Sequence, residues 1–468
     1  MKNLPVSQIR NIHFVGIGGS GMSGIAEVLI KQGYCVTGSD LAATEVTEQL
    51  VVLGAKIFNE HHADNIIGAD VIITSSAIKS DNPELVAARA LQLPVIPRAQ
   101  MLAELMRFHY GIAVAGTHGK TTTTSLIASI FKEAGLDPTF VIGGILNNKN
   151  NSGAYSGNGS YFVVEADESD ASFLYFNPMI SVVTNIDLDH MDTYDNSKTK
   201  LESTFMDFLH KLPFYGLAIL CLDDIAIRES LSKLSRPVIT YGFGADAEVV
   251  VTNFKTSGFG IDFTVNFKTS LESFAVHLNL PGKHNALNAT AAFIVAFKCG
   301  IDPTVIIKAL ANFGGVARRM QRYGEVSING KTGITLIDDY GHHPQEITVT
   351  LQALREVWTD RRLVLAFQPH RYSRTKTLFK EFIRSLITVD ELVLLDIYPA
   401  SEAPIAGITS KALANNIEQV SSLRPKVASD VEMLVKILSE VVENNDLLLI
   451  QGAGNIWLAI NKLLKHQS

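Results

Sequence analysis

The sequence predicts an α/β protein of three domains, each built on a largely parallel sheet. Three observations carry that prediction. The length of 468 residues gives about three cores at roughly 100 to 200 residues per domain. Short apolar runs alternate with amphipathic stretches, the pattern of strands feeding helices. Glycine-rich or acidic loops stand where those runs end, which is the ligand edge of an open parallel sheet.

Composition narrows the class. A 47% hydrophobic, 19% charged chain with mean hydropathy +0.18 reads as globular, and no stretch approaches the ~20 apolar residues that cross a bilayer. The N-terminal "MKNLPVSQIRNIHF" reaches a glycine loop before a signal-peptide core could fit, so the expectation is a cytoplasmic protein with no membrane partner. Forty basic against 47 acidic residues give a net charge of −7. Neither sign forms a long block, which argues against a nucleic-acid partner. Cys35, Cys221 and Cys299 are far apart in apolar surroundings and are expected as buried thiols rather than as a disulfide framework or zinc site.

The elements follow in order. Residues 1–104 form the first expected domain, with strands in "IHFVGI", "GYCVTGSD", "AKIFNE", "ADVIITSSA" and "LPVIPR". Residues 105–317 form the central one. Its strands are expected in "GIAVAG", "SYFVVEAD", "PMISVVTNID" and "GLAILCLDD", followed by a β-rich portion from Ala247 to Leu280 and the helical "HNALNATAAFIVAFKCG". The glycine-rich "NFGGVARRM", around Gly314 and Gly315, reads as a hinge. Residues 318–468 form the third, in which "TLIDDYG", "RRLVLAFQPHR", "DELVLLDIYPAS" and "NDLLLIQGAGNI" each set a strand before a polar or glycine loop. Neither an internal repeat nor a low-complexity tract is visible.

Two loops carry phosphate chemistry. "AGTHGKTTTT" is a shortened Walker A loop, with Val114 where the first glycine of that motif would stand. Gly116, Thr117, Gly119, Lys120, Thr121 and Thr122 are expected to hold a nucleoside triphosphate. Backbone N–H groups and the following helix surround the phosphates, Lys120 adds a point charge, and the Thr121 hydroxyl coordinates Mg²⁺. Two acid clusters at strand ends support a hard cation there: Glu165, Asp167, Glu168 and Asp170, and Asp187, Asp189 and Asp192 with His190. Either cluster alone would be a solvated loop.

The other loop, "GIGGSGMSG", spaces Gly16, Gly18 and Gly21 as a dinucleotide fingerprint, with Asp40 ending the next strand. That pattern makes the first domain Rossmann-like. The glycines place a diphosphate on a helix N-terminus without saying which nucleotide carries it. An NAD-dependent oxidoreductase and a UDP-sugar enzyme are both open on this evidence, although the former leaves Gly119-Lys120-Thr121 without a use. In the third domain, "DDYGHHPQE" and "PHRYSRTK" collect Tyr340, His342, His343, His370, Arg371, Arg374 and Lys376. The arginine forks suit an anionic substrate, and the adjacent histidines lack the spacing of a zinc site.

Taken together, "GIGGSGMSG", "GTHGKTTT", "EADESD", "NIDLDHMDTY", "HNALNA", "RRMQ", "DDYGHHP", "PHRYSRT" and "QGAGNI" resemble the Mur ligases, in that family's order and over nearly the whole chain. The resemblance implies a P-loop ATPase-like central domain between two Rossmann-like domains. It implies a ligase that activates the lactyl carboxylate of UDP-N-acetylmuramate with ATP and Mg²⁺ and joins it to L-alanine through an acyl phosphate, in peptidoglycan precursor synthesis. An enzyme attaching a ready-made tripeptide to the same sugar is the alternative within the family. By residue, the resemblance gives the first loop, Gly16, Gly18, Gly19, Gly21, Met22, Ser23 and Asp40, to the UDP-sugar. It gives Thr121, Glu165 and His190 to the metal. Asn288, Arg319 and Asp339 fall to the adenine, phosphates and ribose of ATP. Tyr340, His342, Arg371 and Arg374 fall to the amino acid. Lys120, His190 and His342 are the candidate catalytic groups; His190, His342 and water remain open as acceptors of the amine proton. Related ligases carry a carbamylated lysine downstream of the metal histidine, and "KTKLESTF" here puts Phe205 at that place. The expected state is a monomer or weak homodimer.

Overall fold

The computed structural model describes residues 9–19, 21–75, 77–144, 146 and 153–465. The N-terminal "MKNLPVSQ", read above for targeting signals, lies outside them. The expected α/β class holds, with three sheets.

The first sheet contains β1 (Asn11–Val15), β2 (Cys35–Ser39), β3 (Lys56–Phe58), β4 (Val71–Thr74) and β5 (Val95–Pro97), in the order β3-β2-β1-β4-β5 and parallel throughout. Helices α1 (Met22–Lys31), α2 (Glu45–Val52), α3 (Pro83–Ala90) and α4 (Arg98–Met106) connect and follow the strands. Four of the five residues of β1 are buried, because a central parallel strand is covered on both faces. Strand order reverses at β1, which pairs with both β2 and β4. The glycine loop therefore sits at the topological switch point, where open sheets bind ligands.

The second sheet has ten strands: β6 (Tyr110–Ala115), β7 (Thr139–Val141), β8 (Ala154–Tyr155), β9 (Tyr161–Glu165), β10 (Ile180–Val183), β11 (Leu217–Cys221), β12 (Val238–Gly242), β13 (Val249–Ser257), β14 (Gly260–Phe267) and β15 (Glu272–Leu278). Their order is β15-β14-β13-β12-β11-β10-β6-β9-β7-β8. The apolar β6 lies between β10 and β9, parallel to both. Helices α5 (Lys120–Glu133), α6 (Lys198–His210), α7 (Ile225–Ser230), α8 (Lys283–Lys298) and α9 (Pro303–Ala311) accompany it.

The third sheet contains β16 (Gln321–Ile328), β17 (Lys331–Asp339), β18 (Leu363–Phe367), β19 (Glu391–Leu395), β20 (Lys426–Ala428) and β21 (Leu447–Gln451), ordered β16-β17-β21-β18-β19-β20. Only the edge pair β16 and β17 is antiparallel. Its helices are α10 (Pro344–Val357), α11 (Tyr372–Thr377), α12 (Phe379–Leu386), α13 (Ser410–Val420), α14 (Val431–Val441) and α15 (Leu458–Lys465). The two faces of the sheet feed two cores. Leu448 and Ile450 of β21 pack with Leu336, Val364 and Val393, whereas Leu447 and Leu449 pack with Ile337, Leu363, Leu365 and Leu392. The period-2 alternation of a strand between two apolar layers is why this run is unbroken.

The chain falls into two compact units. One takes in the chain as far as Asn253, Phe263–His277 and Ala286–Gly314, and so holds the first sheet and most of the second. The other takes in Phe254–Asp262, Leu278–Asn285 and the chain from Gly315 on.

The expectation of buried thiols holds for Cys221, which is buried. Cys299 is partly buried, and Cys35 is exposed. Cys35 opens β2 and faces outward in a strand whose next residue, Val36, is buried; an apolar neighbourhood in sequence does not decide which way the first residue of a strand points. Strands β7, β8, β12, β16 and β20 were not expected from the pattern. Three are only two or three residues long. The edge strand β16 is largely exposed and irregular around Gly324, so it carries no apolar run.

Candidate active site

The shortened Walker loop joins β6 to α5 as expected. Gly116 has φ +131°, and a Cβ there would collide with Thr184 Oγ1 and come within 3.1 Å of the Asn185 backbone. Gly119 caps α5 at φ +83°, and its Cβ would lie 2.6 Å from Asn288 Oδ1. Both positions need glycine for conformation and for close approach. The second places the Asn288 side chain, from α8, directly against the loop. Neighbouring residues after β10 brace the turn. His118 N donates to Asn185 Oδ1 at 2.8 Å, Thr184 Oγ1 donates to His118 O at 2.6 Å, and Asp187 N donates to Thr117 Oγ1 at 2.8 Å.

Lys120 Nζ donates to Gly116 O at 2.6 Å, Thr117 O at 3.1 Å and Glu168 Oε1 at 2.8 Å. Desolvation opposes its charge, but Glu168, Glu165 and Asp167 outweigh that and hold its pKa above the usual lysine value. Burial pushes the Glu168 carboxyl up to about 7 against the pull of Lys120, with Asp167 adding to the rise. Its other oxygen, Oε2, is buried without a hydrogen-bond partner. The Glu168 carbonyl accepts from the Tyr194 hydroxyl.

The Thr121 hydroxyl lies 3.1 and 3.0 Å from the two Glu165 oxygens, and Gly143 N donates to Glu165 Oε2 at 2.8 Å. Hard oxygen donors beside a phosphate loop fit Mg²⁺. His190 stands in the left-handed region at φ +53°. Its Nε2 is 3.6 Å from Asp189 Oδ2, and its backbone N–H donates to Asp189 Oδ1 at 2.9 Å. Thr122 is buried in the first turn of α5. Phe205, which the resemblance sets at the place of the modified lysine, is fully buried in α6 with its ring 5.1 Å from Phe173; here it serves the core.

In the first loop, Gly16 N and Ile17 N donate to Ser39 O at 2.8 and 3.0 Å. Gly16 has φ +80°, and Gly21 caps α1 at φ +77°. Gly19 N donates to Gly16 O at 3.1 Å, and Met22 N and Ser23 N donate to Gly19 O at 3.0 and 3.3 Å. Asp40 Oδ2 accepts Gly18 N at 2.9 Å, so this acid holds the loop itself.

In the other unit, Tyr340 stands on the loop after β17 with the Arg318 and Arg319 guanidinium carbons 5.0 and 4.9 Å from its ring centroid. A ring ladder continues from it: Tyr340 to His342 at 5.6 Å, His342 to His370 at 5.5 Å, and His370 stacked on Tyr398 at 5.4 Å. Arg374 is buried and donates to His370 O at 3.3 Å. Arg371 has φ +71°, and its Nε is buried without a partner. The structure thus gathers Tyr340, His342, His370 and Arg374, while His343 turns aside to cap α10. Asp339 is saturated from within, accepting from Met320 N, Gly341 N and Gln451 Nε2 at 3.0, 2.9 and 2.8 Å. Burial raises its pKa against the pull of Arg319.

Sequence reasoning did not single out Glu168, Thr184, Asn185 or Tyr398. Glu168 was visible only as one of four acids. Tyr398 gave no signal beyond standing three residues after an apolar strand.

Three family profiles match the chain: "Mur ligase family, catalytic domain" over residues 11–110, "Mur ligase middle domain" over 114–296, and "Mur ligase, glutamate ligase domain" over 318–454. Among solved structures, the chain is similar to the UDP-N-acetylmuramate-alanine ligase MurC of Thermotoga maritima, with 30% identity, TM-score 0.82, and 97% of this chain and 98% of that one covered. It is also similar to a murein peptide ligase of Psychrobacter arcticus, with 25% identity, TM-score 0.72 and the same coverage. The MurF ligase of Thermotoga maritima, solved with ADP, shares the fold at 18% identity and TM-score 0.63, with 93% of this chain and 96% of that one covered.

Proposed function

The chain belongs to the Mur ligase family, and on that premise we propose that it joins L-alanine to the lactyl carboxylate of UDP-N-acetylmuramate, with ATP converted to ADP and phosphate. The observation that carries the reading is the pair of phosphate loops in one unit, Gly16–Gly21 before α1 and Gly116–Gly119 before α5. Two loops serve two phosphate-bearing substrates. In this reading residues 1–104 bind the UDP-sugar, 105–317 bind ATP, and 318–468 bind the amino acid and part of ATP.

A carboxylate is a poor acyl donor until one of its oxygens becomes a good leaving group. The lactyl oxygen attacks the γ-phosphorus, the bond to the β–γ bridging oxygen breaks, and ADP departs. The amine of alanine then attacks the acyl carbon, the C–O bond to phosphate breaks, and the amine proton passes to His190, His342 or water. Lys120, kept protonated by its acid neighbours, stabilises charge on the transferring phosphoryl group, where catalysis is mainly positioning and electrostatics. Thr121 and Glu165, with His190, would hold Mg²⁺, which when bound neutralises charge on the ATP phosphates. Asn288 lies against Gly119 and is assigned to the adenine. Arg319 and Asp339 are assigned to the phosphates and ribose, the latter by keeping its loop in shape. Arg371 and Arg374 pair with the alanine carboxylate, beside Tyr340 and His342.

The similarity to the Psychrobacter arcticus murein peptide ligase supports a second reading, in which the acceptor is a peptide. Both readings share the acyl phosphate, and hydroxylamine tests that step. With ATP, Mg²⁺ and UDP-N-acetylmuramate but no amino acid, a hydroxamate of the sugar should accumulate with ADP. ADP without hydroxamate would remove the acyl phosphate from the account.

A further inference from the structure

The chemistry above leaves Arg98 unused, yet this first residue of α4 lies between the first phosphate loop and the acid loop after β9. A Cβ placed on Gly21 would collide with its Nη1 and lie 3.4 Å from its Cζ, so the guanidinium rests against the last glycine of the first loop. Its Nη2 lies 3.4 Å from Asp167 Oδ2, in the acid loop after β9. The next residue in that loop, Glu168, holds Lys120 at 2.8 Å. Adjacent carboxylates therefore each hold one cation: Lys120 of the second phosphate loop, and Arg98, which lies against the first.

The pair of Arg98 with Asp167 is loose. It is longer than the ~2.7–2.9 Å of a good charge-assisted bond, and its side chains are 25% and 39% exposed. Asp167 is otherwise engaged, since Oδ1 accepts Ser169 N at 3.0 Å. The guanidinium meanwhile sits at the positive end of α1, where a cation is disfavoured and an arriving oxyanion would be held by both. Its planar fork can keep one edge on Asp167 and turn the other to that anion.

We propose that Arg98 is a substrate-positioning residue, which takes the diphosphate of the UDP-sugar on one side and Asp167 on the other, and so ties occupancy of the first loop to the acid loop that holds Lys120. This rests on the reading of Gly16–Gly21 as the UDP-sugar loop. Because coupling between sites is reciprocal, the UDP-sugar and ATP should each alter the affinity of the other, and the alteration should pass through Arg98 and Asp167.

The test is titration calorimetry on the full chain with UDP, alone and with a non-hydrolysable ATP analogue, for wild type, Arg98→Ala, Arg98→Lys and Asp167→Asn. Arg98→Ala should weaken UDP binding by about tenfold or more, and Arg98→Lys, which keeps the charge, should recover part of it. The dependence of analogue affinity on UDP should vanish in Arg98→Ala and in Asp167→Asn. A wild type that does not bind UDP would sink the reading of the first loop. A wild type that binds UDP beside an Arg98→Ala variant of equal affinity would overturn the role of Arg98 and leave that reading intact. Coupling that survives in both variants would overturn the tie between the loops.

Discussion

Lys120 shows what a single residue settles. Its three acceptors are two loop carbonyls and one buried carboxylate, an arrangement that closes the loop and aims one positive charge at it. Lys120→Ala should lower turnover by about 10²–10³-fold or more, while UDP titrated calorimetrically still binds, because the first loop belongs to another sheet. Loss of both would point to global damage or a wrong assignment. Gly-Lys-Thr was legible because few other uses exist for it after a strand. The identity of the acid that meets Lys120 was not. Four carboxylates fall within six residues, Glu165 ending β9 and three just after it, and only the turn in which Ser169 N and Ser172 N donate to Asp167 and Asp170 directs Glu168 inward. Asp40 teaches a related lesson: its place after β2 was readable, but its hydrogen bond to Gly18 N depends on the curl of the loop.

At the scale of elements, the strand-to-helix turns are where geometry is least tolerant. Gly116→Ala introduces a Cβ at φ +131° that meets Thr184 and the Asn185 backbone. The strain should cost roughly 1–3 kcal/mol, seen as a lower unfolding midpoint with reduced turnover. The start of α8 carries a different signature. Burial alone pushes the His284 pKa down from 6.5 to about 4, so above pH 6.5 the imidazole is neutral in both folded and unfolded chains. As pH falls below that, the unfolded chain takes a proton that the folded one refuses until about 4. Stability is therefore lost across that window, with a slope of at most about 1.4 kcal/mol per pH unit from this group. His284→Gln should flatten the corresponding part of a plot of unfolding free energy against pH; an unchanged slope would mean that the histidine is protonated in the fold. The sequence marked "HNALNA" as a motif but gave no sign of this desolvation: His284 is partly buried, packed beside Gly282, which also faces Ala353 of α10. Central parallel strands were easy to read, since cover on both faces makes them uniformly apolar. The edge strand β16 was not, because water on one side removes the pattern.

At the scale of the whole molecule, the chain divides into two units, with Gly314 ending a segment of one and Gly315 opening the long segment of the other, inside "NFGGVARRM", the stretch expected to be a hinge. Arg374→Ala, in the second unit, should raise the apparent KM for alanine by about tenfold or more and change that for ATP far less. Equal rises would place Arg374 at the nucleotide instead. The order of phosphate loops and arginine-rich loops was legible along the whole chain because each follows a strand. The acceptor was not, since Tyr340, His342, His370 and Tyr398 meet only when β17, β18 and β19 are folded side by side with β21. The central claim is therefore tested at the acceptor, by measuring ADP release with Mg-ATP and UDP-N-acetylmuramate in the presence of L-alanine, of the L-Ala-D-Glu-diaminopimelate tripeptide, or of neither. The account predicts release that depends on L-alanine; release that depends on the tripeptide would contradict it, leaving the fold and the acyl-phosphate chemistry but reassigning the amino-acid site.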